Sequence, residues 1–116
     1  VENWGAPPFT GKGDLKKALI GAEEIPFKLL LSHNPSHWKK KVLPESDVAL
    51  MLSGHTHGMQ FALGNHSLAS LFSSQWRGLY TQGNRSLYVN VGLGFLGIPF
   101  RFGAWPEISV ITLKSK

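Results

Sequence analysis

The 116-residue sequence contains no cysteine. That excludes disulfides and every thiolate metal site, so a bound metal would have to rest on His, Asp, Glu or Asn. The same absence leaves the compartment open. No apolar run reaches the roughly 18 residues that a membrane-crossing helix needs. No signal-peptide pattern is visible, and the chain opens at Val1-Glu2-Asn3-Trp4 without a methionine, which reads as a segment of something longer. Acidic residues are scarce, seven against twelve Lys and Arg, for a net charge of +5. With 42% hydrophobic and only 16% charged residues, the composition belongs to a folding chain and not a disordered one. Length predicts one domain, or part of one, over residues 1–116.

A basic balance admits nucleic acid or an anionic substrate as partner. The positive charges form no long run, however. Lys39-Lys40-Lys41 reads as a solvated helix face. A basic nucleic-acid-binding module without catalysis is therefore the weaker alternative, resting on net charge alone. Trp4, Trp38, Trp76 and Trp105 have no alternating basic partners, so they read as core or rim packing and not as base-stacking platforms.

Residues 1–12 read as a strand end and loop. Asp14 can cap a short helix from Leu15 to about Ile20, stopped by Gly21. The apolar run 27–32 predicts a buried strand ending at His33-Asn34-Pro35, and Pro35 can open a helix to about Lys41. A second buried strand is predicted over 47–53, a short one over 60–63, a third over 87–91 and a fourth over 108–113. Residues 64–78 carry no decisive pattern.

The most telling stretch is Ser53-Gly54-His55-Thr56-His57-Gly58-Met59-Gln60. In an extended backbone, side chains two apart point to the same side. His55 and His57 would then aim two imidazoles at one region, between glycines that allow close backbone approach. Two apolar strands thus each deliver histidine at their C-terminal ends, the edge where open α/β sheets place ligands. His33 and the 55/57 pair can meet there if the strands are parallel neighbours.

Gly54-His55-Thr56-His57-Gly58 resembles the last metal motif of the calcineurin-like metallophosphoesterases, and Leu30-Leu31-Ser32-His33-Asn34-Pro35 resembles the histidine motif preceding it. Gly92-Leu93-Gly94 and Pro106-Glu107-Ile108 resemble the closing segment of a membrane-associated or secreted bacterial branch. The resemblance covers nearly the whole chain. It implies an α/β fold, the C-terminal half of a four-layer α/β/β/α sandwich, strand-rich with one or two short helices. It implies a binuclear phosphoesterase with two divalent ions of Mn, Fe or Zn type, His33 and His55 on one and His57 on the other. A metal-activated hydroxide would attack a phosphomonoester or phosphodiester. Location at the bacterial cytoplasmic membrane, or secretion, comes from the resemblance alone.

The family's Asp-x-His, bridging Asp and Asn-His motifs lie upstream of the His33 motif, and nothing before His33 here supplies them. The expectation is a partial site, little or no turnover by the isolated segment, and a missing N-terminal half as partner. A half sandwich exposes the face its partner would cover, so self-association is expected. Gly64-Asn65-His66 mimics an Asn-His motif but reads as a turn, and His37 reads as a surface residue. The G-x-G-x-x-G spacing at Gly92–Gly97 lacks a following helix and reads as a loop. Arg77, Arg85 and Arg101 are possible phosphate contacts, Arg101 foremost, against a reading as solvated surface.

Overall fold

A computed structural model describes residues 4–5, 11–72 and 74–114. Most of the strand end and loop expected over 1–12 lies outside the described residues. The short helix α1, Leu15–Leu19, begins where Asp14 accepts the backbone N–H of Lys17 at 3.0 Å. Gly21, at φ +81°, follows its end. Strand β1, Leu29–Leu31, leads into a helical turn opened by Pro35, whose carbonyl accepts from Trp38 N at 3.0 Å. The turn continues as a π-helix, Trp38–Val42, and then as α2, Leu43–Glu45, so it runs past the expected stop at Lys41.

Strand β2, Leu50–Ser53, is followed by a small antiparallel pair, β3 (Ala62–Leu63) and β4 (His66–Ser67). Gly64-Asn65 forms the turn between them, as expected. Strands β5, Gly78–Gln82, and β6, Arg85–Val89, form a hairpin around Gly83-Asn84. The main sheet has the order β1-β2-β6-β5, with β1, β2 and β6 parallel and β5 antiparallel at the edge. The architecture is α/β with a mixed sheet and few helices.

Register explains the core. Leu30, Met51, Leu87 and Tyr80 align across the four strands on one face. With Val89, that face meets Leu15, Trp38, Val42 and Val48, which come from the helical segments and the approach to β2. Burying these apolar side chains is the main stabilising contribution. A second cluster of Ala62, Ala69, Trp76, Val91 and Ala104 sits under the β3–β4 hairpin and the loop after β6.

Three expectations change. The strand over 27–32 is not buried on both faces, because helices cover only one side of the sheet: Leu29 and Leu31 are 42% and 60% exposed. The strand expected over 108–113 joins no sheet. Its alternation is real, but Glu107 and Ser109 turn inward to hydrogen-bond Tyr88 and Asn90, while Ile108 and Val110 face solvent beside no partner strand. His37 is fully buried and not a surface residue. The turn opened by Pro35 carries it inward beside Trp38, where Nδ1 shares a 2.9 Å hydrogen bond with Ser32 Oγ and the ring stacks on Trp4 at 4.7 Å. The tryptophans pack as expected, Trp38 and Trp76 in the cores and Trp105 at the rim.

Candidate metal centre

Strands β1 and β2 are parallel neighbours, the condition on which the meeting of His33 and the 55/57 pair rested. Their C-terminal ends are stitched tightly. Ser32 N donates to Leu52 O at 3.1 Å, Ser53 Oγ donates to Ser32 O at 2.6 Å, and Gly54 N donates to His33 O at 3.0 Å. These bonds bring the rings of His33 and His55 together edge to face, with centroids 5.1 Å apart. Both rings reach solvent. Two imidazoles bound to one tetrahedral ion, at N–metal distances of about 2.1 Å, hold their ring centres about 5 Å apart. The centroid spacing of the pair matches that value.

The backbone that presents His55 and His57 is not extended. His55 lies at φ +72°, His57 at +49°, Met59 at +48° and Gln60 at +60°. An L-residue in this left-handed region carries about 1–2 kcal/mol of strain. The same-side argument from an extended strand is thus wrong in its cause: a reversing loop, not pleating, places the two imidazoles. Clamps from outside hold the loop. Thr56 Oγ1 donates to Trp76 O at 2.7 Å and accepts from Gly58 N at 3.3 Å, while Ser67 Oγ donates to Gly58 O. Gly58 is required, since a Cβ there would lie 2.8 Å from Ala104 Cβ at φ +59°. Gly54 is under no such constraint.

Partial desolvation, and then the nearby His33 and His57, hold His55 below the usual imidazole range. A neutral imidazole is the form that ligates. The donor set is nonetheless incomplete. Among the described residues, no group of three or more His, Asp or Glu side chains could hold a metal ion. Between Asp47 and Glu107 the sequence has no carboxylate at all.

Arg85 and Arg101 are engaged within the chain, so the reading of solvated surface does not describe them, whereas it holds for the exposed Arg77. Arg85 donates to Val48 O, Leu43 O and Val42 O at 2.8–3.0 Å. Arg77 pairs with Glu107 at 3.4 Å. Arg101 donates to Ala104 O at 2.9 Å and Val91 O at 3.0 Å and also binds Gly94 O. One Arg101 nitrogen stands 3.4 Å from His57 Nδ1. This reaches the motif, but the guanidinium is turned to loop carbonyls and presents no free bidentate edge. Lys39-Lys40-Lys41 is solvent-exposed, as expected. The glycine-rich segment after β6 is a loop with no helix following it.

The sequence around this centre is similar to that of known proteins. The chain is 38% identical over 108 residues to "Uncharacterized metallophosphoesterase YkuE" of Bacillus subtilis, covering 90% of this chain and 37% of the relative. It is 37% identical over 109 residues to "Transmembrane protein with metallophosphoesterase domain" of Bos taurus, covering 92% of this chain and 24% of that protein. It is 38% identical over 108 residues to "Uncharacterized metallophosphoesterase" of one Helicobacter pylori strain, covering 89% of this chain and 28% of the relative.

The chain belongs to the metallophosphoesterases.

It spans about a quarter to a third of the length of these curated relatives and aligns with a C-terminal part of them. No family model and no solved structure matches it. Among the described residues, no helix of this metallophosphoesterase segment is long and apolar enough to cross a membrane.

Proposed function

We propose that this segment supplies the imidazole side of a binuclear, metal-dependent phosphoesterase centre that hydrolyses phosphomonoesters or phosphodiesters. His33 and His55 hold one divalent ion, of Mn, Fe or Zn type, and His57 holds the second. Bound ions of this kind supply Lewis-acid stabilisation of phosphoryl oxygens and activation of water. The chain's own part is positional. The seryl and backbone bonds between β1 and β2 aim His33 and His55, and the clamped loop aims His57. The carboxylates of such a centre come from the remainder of the polypeptide, so the segment alone has little or no turnover.

The observation that carries this reading is the His33–His55 pair, 5.1 Å apart at the tips of adjacent parallel strands, within a sequence alignable to metallophosphoesterases. The open face of the sheet, bearing Leu29 and Leu31, then packs against a second sheet from the missing half and completes a four-layer α/β/β/α sandwich. Arg101 acts here as a brace for the loop beside His57, and a phosphate contact would require it to leave those carbonyls.

The test is hydrolysis of an aryl phosphate ester by the complete polypeptide with added Mn²⁺. The expected result is activity that chelation abolishes and that falls at least about 100-fold in His55→Ala, the scale expected when one catalytic metal ligand is lost. An inert complete polypeptide, or an alanine variant as active as the parent, overturns the reading.

A further inference from the structure

His33 lies inside a clasp. Ser32 precedes it and His37 follows it in the next turn, and both are buried. Ser32 Oγ and His37 Nδ1 share a 2.9 Å hydrogen bond, which closes the chain around His33. Inside the closure, Asn34 Oδ1 accepts from Ser36 N at 2.9 Å, and Asn34 O accepts from His37 N at 3.2 Å. Ser32 is also tied to β2, its N–H donating to Leu52 O and its carbonyl accepting from Ser53 Oγ. Through one hydroxyl, then, the His37 imidazole reaches the residue that joins His33 to the sheet.

Packing alone does not call for an imidazole at position 37. A phenyl ring would stack on Trp4 equally well. Nε2 is buried with no hydrogen-bond partner among the described residues, which lowers stability. The bond to Ser32 is what a phenyl ring cannot make. Position 33 is where that bond matters. The His33 ring is exposed, so core packing does not fix it and its backbone must. A metal ligand has to be held within about 0.5 Å of its place by groups behind it.

We propose that His37 is a positioning residue for His33: its Nδ1 bond to Ser32 fixes the backbone from which His33 reaches an ion. Ser53 braces the same residue from the neighbouring strand, so Ser32 is gripped from both sides. The proposal rests on the reading of His33 as a metal ligand.

The test measures Mn²⁺ affinity of the complete polypeptide by calorimetry, with the melting temperature of the metal-free protein beside it. His37→Phe keeps a ring on Trp4 and removes the bond. His37→Asn places an amide where Nδ1 stood and gives up most of the ring. Affinity should fall about tenfold or more in the phenylalanine variant, the scale for loss of a group supporting a ligand, and be largely kept in the asparagine variant. Stability should run the other way, with His37→Asn melting below His37→Phe because of the space it leaves. Ser32→Ala removes the bond from its other end, with the ring in place, and should lose as much affinity as His37→Phe. In the metal-free protein, the ring-proton resonances of His33 should broaden in His37→Phe and stay sharp in His37→Asn. Affinity that follows melting temperature across the two position-37 variants makes His37 mere packing and overturns the proposal. So does parent affinity in Ser32→Ala. Parent affinity in His37→Phe, with binding weakened in His33→Ala, overturns it while the metal reading stands. Parent affinity in His33→Ala removes the metal reading and the proposal with it.

Discussion

His37 is a buried imidazole whose Nε2 has no partner, stacked on Trp4 and bonded only to Ser32. Burial first, and then surrounding positive charge, lowers its pKa to about 4. In the unfolded chain the ring titrates near 6.5. Above that value both states are neutral and the ring's contribution to stability is fully present. Between about 6.5 and 4 the unfolded chain binds a proton that the folded chain refuses, so stability falls as pH falls through that window. Denaturant midpoints at pH 7 and pH 5 should show this loss, and His37→Phe should shrink it even if the variant is weaker overall. Gly103 makes a second point at this scale. It lies at φ +70°, and a Cβ would run into the Ala62 carbonyl, which sits in the backbone bridge between residues 61 and 102. Gly103→Ala should lower stability by about 2–4 kcal/mol in equilibrium unfolding.

Among elements, Arg85 joins β6 to the end of α2. Its guanidinium satisfies the carbonyls of Val42, Leu43 and Val48 and lies 5.4 Å from the Trp38 ring. A helix end without partners for its carbonyls is unstable, so Arg85→Ala should cost about 2–3 kcal/mol, and Arg85→Lys should recover only part of it. Thermal melting of the three proteins checks the order. The elements also show what the sequence makes readable. An apolar run ending in histidine exposed both β1 and β2 and their shared edge, and Asp14 announced α1. Strand β5 was missed although Gly83-Asn84 carried a hairpin signal, because Gly78-Leu79-Tyr80-Thr81-Gln82 has a weak apolar pattern. The strand assigned to 108–113 failed for the opposite reason: alternation marks two faces but cannot supply a neighbour. The handedness of residues 55–60 was illegible, since only one of the left-handed positions there is a glycine and tertiary clamps impose the rest.

At the scale of the whole molecule, the main sheet has one face covered by helices and one crossed near Tyr88 by residues 107–109 but otherwise open. Leu29, Leu31 and Leu79 are 42–64% exposed on the open side. An apolar sheet face of this kind seeks a partner. The isolated segment should therefore self-associate, with a scattering mass that rises with concentration. Leu31→Lys/Leu79→Lys should return it to a monomer while changing its unfolding free energy by less than about 1 kcal/mol, since neither side chain is buried in the single chain. A dilute monomer at all concentrations would count against this.

The left-handed loop has a consequence for how the molecule breathes. Its backbone is stored against its own preference, restrained by Thr56 and Ser67 and, at its far end, by the bonds of Gln60 to the loop after β6. Amide deuterium exchange should therefore run ahead at residues 55–60, well before Met51 or Leu87 loses protection. The histidines would be released by local opening while the sheet stays intact, and a cation gripping them would act as a latch on that opening, slowing exchange in the loop without changing it in the core.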